Sequence, residues 1–240
     1  MKRILLKVVA YILLALILPW VLLAGFICTM ALFNYRVGVS GDFASSPLRA
    51  DPPEPISDPL VLRLVTFNIA DAYGFTTNRP ERMRAIGAKL TEIDPDIVGF
   101  QEAFIEKDRA ILVEALKNSR LQHHVYYPSG TLGSGLMISS AYPIREHYFH
   151  RFSTANPWYR LWEGDWWAGK GVALARLELP QGVIDVFNTH AQATYGRETN
   201  RRARLQQMRE AAAFIRTART GTAPAFALGD WNCHAGDPDH

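Results

Sequence analysis

The sequence predicts an α/β domain with sheets inside and helices outside, set behind an apolar N-terminal segment and a proline-rich linker. Three observations predict it. From residue 60 onward, strand-like apolar runs alternate with helical segments that come singly. Residues 8–35 contain no charged side chain, and 36–59 are broken by prolines. Hydrophobic residues make up 48% of the 240 and charged residues 20%, a folding composition.

Val8–Phe33 is almost wholly apolar. As a helix its 26 residues would rise about 39 Å, more than the roughly 30 Å hydrocarbon core, so it is long enough to span with tilt or a kink at Pro19. A signal peptide has a shorter apolar region, about 7–15 residues, and a small-x-small cleavage site. Residues 1–35 therefore read as an uncleaved signal anchor. Lys2, Arg3 and Lys7 precede the span and only Arg36 and Arg49 follow closely, which puts the N-terminus in the cytoplasm and the bulk of the chain outside. Residues 36–59, with Pro47, Pro52, Pro53, Pro55 and Pro59, read as an extended spacer, and the folded domain is expected over 60–240.

Within that domain Leu60–Ala70 reads as a buried strand and Pro80–Glu92 as a helix with proline in its first turn. Asp94-Pro95-Asp96 turns the chain into a short strand, Ile97–Gln101, and Glu106–Ser119 reads as a second helix. Strands follow at His124–Tyr127, Gly135–Ser139, Glu146–Phe152, Gly171–Glu178 and Val183–Thr189. Thr199–Arg219 is a long amphipathic helix whose arginines read as a solvated face, and Ala225–Leu228 is the last strand. No internal repeat of fixed period is present.

Composition narrows function. Two cysteines, Cys28 and Cys233, exclude a disulfide framework and any Cys-rich zinc module. Residues 60–240 carry 21 Lys+Arg against 19 Asp+Glu, or +2, which argues against a dedicated nucleic-acid groove without closing that reading. What remains is a set of polar residues at the ends of apolar strands: Asn68 in TFN, Glu102 in GFQE, His190 in FNTH, and Asp230 and Asn232 in LGDWN. Strand ends can present side chains rigidly to a ligand. These types suit phosphodiester chemistry. Glu102 is a hard oxygen ligand for Mg²⁺, Asn68 can orient it, and His190 can donate to a phosphoryl oxygen. Asp230 can orient or deprotonate the attacking water, and Asn232 can fix its geometry.

The motifs TFNIA (66–70), DIVGFQE (96–102), SGLMISSAYPI (134–144), NTHAQATY (188–195) and ALGDWN (227–232) resemble, in order and spacing, the endonuclease/exonuclease/phosphatase superfamily. Gly164-Asp165-Trp166-Trp167-Ala168-Gly169-Lys170-Gly171-Val172, the stretch from Thr189 to Tyr195, and Asp230-Trp231-Asn232-Cys233-His234-Ala235 are similar to segments of the neutral sphingomyelinases, with Ala235 where proline is usual. The resemblance implies a four-layer α-β-β-α sandwich of two mixed sheets. It implies hydrolysis of a phospholipid headgroup, sphingomyelin to ceramide and phosphocholine, with Mg²⁺ (Mn²⁺ as the alternative) at Asn68 and Glu102. The catalytic set carried over is Asn68, Glu102, His190, Asp230 and Asn232. Asp165 and Lys170 are expected to form an ion pair, and with Trp166 and Trp167 they form the expected substrate-binding group. Four of six tryptophans, at 158, 162, 166 and 167, fall within ten residues and suit the headgroup level of a bilayer.

One feature departs from the family pattern. The family carries a further Asp-His pair on a strand well after GDxN, whereas Asp239-His240 comes tens of residues too early. The C-terminal part of the domain, including a closing strand, is therefore expected to be missing from this chain. Three other readings stay open at this stage. They are a metal-dependent nuclease, a phosphoinositide phosphatase, and an inactive membrane-tethered module that binds headgroups. No protein partner is inferable.

Overall fold

A computed structural model describes residues 2–36, 46, 48, 56, 59–72, 74, 76–157, 160 and 163–237. The apolar N-terminal segment is one helix, α1 (Lys2–Arg36), with Pro19 inside it. An 18-residue window within its stretch Lys2–Met30 has a mean hydropathy of 2.5, and the stretch is long and apolar enough to cross a membrane.

The domain begins with a β-α-β unit. Strand β1 (Leu64–Asp71) leads into α2 (Arg79–Ile93), which returns to β2 (Ile97–Ala103) parallel to β1. Pro80 sits in the first turn of α2, where its missing N–H costs nothing. Asp94 ends the helix in a left-handed conformation with its N–H on the Leu90 carbonyl. Helix α3 (Glu106–Ala115) and the antiparallel strands β3 (His123–Tyr126) and β4 (Met137–Ser140) complete a sheet of order β1-β2-β4-β3.

The second sheet, order β5-β6-β7-β8, holds β5 (Ile144–Arg151), β6 (Gly171–Leu179), β7 (Gly182–His190) and β8 (Ala225–Asp230). Strands β5, β6 and β7 are antiparallel neighbours. Helix α4 (Glu198–Ala218) then crosses over to bring β8 parallel to β7. Both sheets are thus mixed, and each carries one parallel pair made by a helical crossover.

Alternation along the strands builds the layers. Ile97, Ile138, Ala173, Ala175, Leu177, Ile184 and Val186 face inward and fill the space between the sheets. Val98 and Phe100 face the other way, against Met83 and Leu90 of α2 and Leu112 of α3. On the second sheet Val172, Leu174 and Phe187 meet Ala211, Phe214 and Ala218 of α4. The order helix, sheet, sheet, helix is the four-layer sandwich that the family resemblance implies.

The spacer reading of residues 36–59 needs correction. Ser46 Oγ donates to Glu146 Oε2 at 2.6 Å and accepts from Arg176 Nη1 at 2.7 Å, Leu48 is buried, and Ile56 packs on the inter-sheet core. Proline composition predicts an extended backbone but says nothing of what that backbone lies against. Ser46, Leu48 and Ile56 are thus packed on the domain, whereas Pro59 is exposed. Trp158, Tyr159, Leu161, Trp162 and Asp239-His240 lie outside the described residues.

Candidate active site

The two parallel pairs end at the same place. Asn68 near the end of β1, Glu102 of β2, His190 closing β7 and Asp230 closing β8 meet there. One Asn68 amide nitrogen donates to Glu102 Oε1 at 2.7 Å and to Asp230 Oδ2 at 2.9 Å, so a neutral side chain ties a carboxylate of one sheet to a carboxylate of the other. Asn68 Oδ1 accepts from the Ala70 N–H at 2.9 Å, which fixes the amide in that orientation. His190 Nε2 lies 3.9 Å from Asp230 Oδ2. Asn232 donates from its side chain to the Ala191 carbonyl at 3.0 Å, and its N–H donates to Asp230 Oδ1 at 3.0 Å. The five residues of the expected catalytic set thus form one cluster.

Backbone geometry re-aims these side chains. Glu102 (φ 56°), Ala70 (φ 48°), Asn232 (φ 50°) and Tyr195 (φ 46°) all adopt left-handed conformations, which cost non-glycine residues roughly 1–3 kcal/mol each and gather at functional sites. Gly229 needs its freedom for another reason, because a Cβ there would stand 2.6 Å from the Thr189 carbonyl.

His190 is buried, and its Nδ1 has no partner among the described residues. Burial, together with the nearby Lys170 ammonium, holds its pKa well below the usual imidazole range. The ring is therefore neutral near pH 7. Lys170 Nζ lies 2.9 Å from Asp165 Oδ1 and donates to the Ala191 carbonyl at 2.7 Å. The second Asp165 oxygen accepts from Gln192 Nε2 at 2.7 Å and the Ala193 N–H at 2.9 Å. Asp165 and Lys170 form the expected ion pair, and both are buried.

Glu102 and His190 open into a cavity of about 720 Å³ whose walls include Phe104, Ile105, Leu132 and Tyr195. Leu132 and Tyr195 are about half exposed. Glu163, at the same cavity, is held by Asn156 and Asn200 amides and by Arg197, whose Nε is 3.1 Å from Glu163 Oε1. Of the expected substrate group Asp165 lines this cavity, whereas Lys170, Trp166 and Trp167 do not, and Lys170 lines a second cavity with Trp166. The two tryptophan rings meet edge to face at 4.7 Å. The second cavity lies on the Arg151 and Gln207 side of Asp165.

The apolar walls were not singled out from sequence, although Phe104 follows the QE dipeptide and Tyr195 ends a quoted motif. Arg204 departs from the solvated face that the helix pattern predicts. It is fully buried, donates to Thr194 Oγ1 at 2.5 Å and to the Asn232 carbonyl, and pairs with Asp237, so it braces the loop that carries Asn232.

The donor set fits a hard divalent ion. Glu102 offers carboxylate oxygen at a half-buried position on the cavity, and Asp230 stands beside it. No cluster of three or more His, Cys, Asp or Glu side chains able to hold a metal occurs among the described residues. That sparse set suits Mg²⁺, which keeps several waters and takes phosphate oxygens, and does not suit Zn²⁺.

Comparison with known proteins agrees with this geometry. Residues 65–240 match the Endonuclease/Exonuclease/phosphatase family. A putative neutral sphingomyelinase of Drosophila melanogaster is 31% identical over 180 residues, covering 74% of this chain and 40% of that protein. An inositol phosphosphingolipids phospholipase C of Schizosaccharomyces pombe is 34% identical over 174 residues, covering 71% of this chain and 41% of that protein. The chain thus spans about two fifths of the length of these relatives. Among solved structures, a β-hairpin deletion mutant of Staphylococcus aureus beta toxin superposes with a TM-score of 0.64 at 24% identity, covering 75% of this chain and 70% of that one. A second beta toxin variant, solved with bound magnesium ions, gives 0.62 at 23% identity, covering 74% and 67%. At these identities the structural likeness is one of fold, and it is the family match over 65–240 that places the chain. The chain belongs to the Endonuclease/Exonuclease/phosphatase family.

Proposed function

We propose that residues 60–240 carry the catalytic cluster of a Mg²⁺-dependent phosphodiesterase that hydrolyses sphingomyelin to ceramide and phosphocholine. The observation that carries this is the meeting of Glu102 and His190 in one apolar-walled cavity, with Asn68 tying Glu102 to Asp230. A polar reacting centre beside an apolar wall suits a lipid phosphodiester better than a nucleic acid. The sphingolipid-directed names of both curated relatives and the magnesium bound in the beta toxin variant support the same reading.

In this reading Glu102 holds the ion and Asn68 keeps the carboxylate aimed. Bound Mg²⁺ supplies neutralisation of charge on the phosphoryl oxygens. His190, kept neutral, donates an N–H to a phosphoryl oxygen as charge builds in the transition state. Asp230 orients the attacking water and accepts its proton, and Asn232 fixes Asp230 through its own N–H. Asp165 and Lys170, as an ion pair, hold the Ala193 N–H and the Ala191 carbonyl just after His190. Helix α1 is a signal anchor with its N-terminus in the cytoplasm, which tethers the domain to the outer membrane face where its substrate lies.

The test is headgroup release from sphingomyelin vesicles by the full chain. Phosphocholine release that needs Mg²⁺, stops with chelator and is lost in Glu102→Gln is the expected result. Release from inositol phosphosphingolipid alone, or nicking of DNA without lipid cleavage, would reject the sphingomyelin assignment. Headgroup binding without turnover would reject the enzyme.

A further inference from the structure

A layer of polar groups crosses the sandwich directly beneath the cluster, in a place otherwise filled by aliphatic side chains. The Gln101 amide nitrogen donates to Asn188 Oδ1 at 2.6 Å and shares its hydrogens with the Gly99 carbonyl at 3.0 Å and Thr66 Oγ1 at 3.1 Å. Asn188 Nδ2 donates back across the interface to the Phe100 carbonyl at 2.9 Å and the Met137 carbonyl at 3.2 Å. Thr66 Oγ1 accepts the Gly229 N–H at 3.1 Å. Gln101 and Asn188 are fully buried, and Thr66 closes the layer at its solvent-exposed edge. The sheets approach so closely here that a Cβ on Gly99 would stand 3.1 Å from the Asn188 amide.

The layer is in step with the cluster above it. Thr66 lies two residues before Asn68, Gln101 one before Glu102, Asn188 two before His190, and Gly229 one before Asp230. Every strand that delivers a residue to the site is thus bonded across the sandwich just below that residue. Apolar packing alone would leave two sheets free to settle at several offsets, whereas directional bonds select one. An offset of a single residue, about 3.3 Å along a strand, would break the 2.9 Å bond from Asn68 to Asp230.

We infer that Gln101 and Asn188, with Thr66, are positioning residues that lock the two sheets at the offset where Asn68 can join Glu102 to Asp230. The consequence for Mg²⁺ and turnover rests on the proposed function, but the locking itself does not. The layer acts through Glu102, His190 and Asp230, and its open edge, Thr66 and Gln101, shares a cavity of about 400 Å³ with Asn68, Asp230 and Asn232.

The test uses Gln101→Met, Asn188→Leu and Thr66→Val in the full chain in detergent, with Thr66→Ser as the conservative control. Three quantities are read: melting temperature, Mg²⁺ affinity by calorimetry, and protection of the Asn68 side-chain amide from hydrogen exchange. Gln101→Met and Thr66→Val should weaken Mg²⁺ binding about 10–100-fold, the scale seen when groups behind metal ligands are lost, while the proteins still melt cooperatively. Their kcat should fall with KM nearly unchanged, and Thr66→Ser should behave as wild type. The Asn68 amide should exchange at least about tenfold faster in both.

A lowered melting temperature with unchanged Mg²⁺ affinity and unchanged Asn68 protection would show ordinary packing and overturn the inference. Should Asn188→Leu fail to fold, the other two variants decide the matter. Should wild type bind no Mg²⁺, the proposed function falls, and Asn68 exchange alone decides whether the layer positions the cluster.

Discussion

Two polar clusters stand at opposite ends of the same sandwich, and they are built on opposite rules. At one end Arg176 is fully buried and donates four hydrogen bonds. It meets Glu146 at 2.6 Å, Ser46 at 2.7 Å, Asp185 at 3.3 Å and the Ala218 carbonyl at 2.5 Å. Asp185 in turn accepts from the Thr220 N–H and hydroxyl at 2.6 and 3.1 Å. At the other end Glu102 and Asp230 share only a neutral amide, and neither has an ammonium or guanidinium in ion-pair range among the described residues. The first cluster pairs its carboxylates with a guanidinium. The second has no cationic side chain on its carboxylates among the described residues, and Glu102 opens to one cavity and Asp230 to another. Carboxylates without a cationic side chain at an open strand end suit a bound cation, whereas carboxylates bonded to a buried guanidinium inside the fold point to architecture.

Substitutions at the two ends should therefore fail in different ways. The largest effect is expected from Glu102→Gln. It should lower kcat/KM by about 10²–10³-fold or more while leaving the melting temperature unchanged or raised, since it removes one of two neighbouring carboxylates. Steady-state kinetics beside a thermal melt would check this. Arg176→Met should do the reverse. Removing one partner strands Asp185 and Glu146 and should cost about 3–5 kcal/mol in urea unfolding, with kcat per folded molecule preserved.

Next in size is Lys170→Met. Lys170 adds to the burial that depresses His190, so its loss should move the His190 titration upward in NMR without restoring an ordinary value. The sign in stability follows from the same shift. Folded His190 stays neutral where an unfolded histidine, near 6.5, takes a proton, so wild-type stability is lost as pH falls through about 6.5. The variant should lose less of it.

Asp71 shows the opposite sign. Its burial and the neighbouring Asp108 carboxylate push it up to about 6, against the Ile105 N–H and Arg79. The folded state then holds a proton that the unfolded state has released, so this contribution to stability is lost as pH rises from about 4 to 6. Asp71→Asn keeps an acceptor for the Ile105 N–H, bonded at 3.2 Å, and should flatten the dependence of melting temperature on pH in that window. The smallest effect is expected from Ser46→Ala. It removes one bridge between Glu146 and Arg176 and should cost about 1 kcal/mol in chemical denaturation. A larger loss would mean that the docked segment contributes more to the Arg176 end than its described contacts suggest.

The same contrast marks what could be read from sequence. Every helix and strand of the domain is present within a few residues of its expected bounds, because local signals set them: Pro80 at a helix start, Asp94-Pro95 at a turn, β-branched runs in the strands. Asn68, Glu102, His190, Asp230 and Asn232 were legible because each stands where an apolar run stops, and motif order supplied the rest. Features that depend on distant pairing were not legible. Nothing local tells that Asp165 and Lys170 are buried, that Arg204 turns inward to the Asn232 loop, or that Ser46 reaches Arg176 130 residues away. Gln101 and Asn188 are ordinary polar residues in their own strands, and their meaning appears only when the two sheets face each other.

The claim that the open cluster binds a cation is tested most directly by Mg²⁺-dependent thermal stabilisation of the full chain and of Glu102→Gln, side by side. Ligand bound to the native state alone raises its stability with concentration. A melting temperature that climbs with Mg²⁺ in the wild type and stays flat in Glu102→Gln is the predicted result. Equal shifts in the two proteins, or none in either, would contradict it.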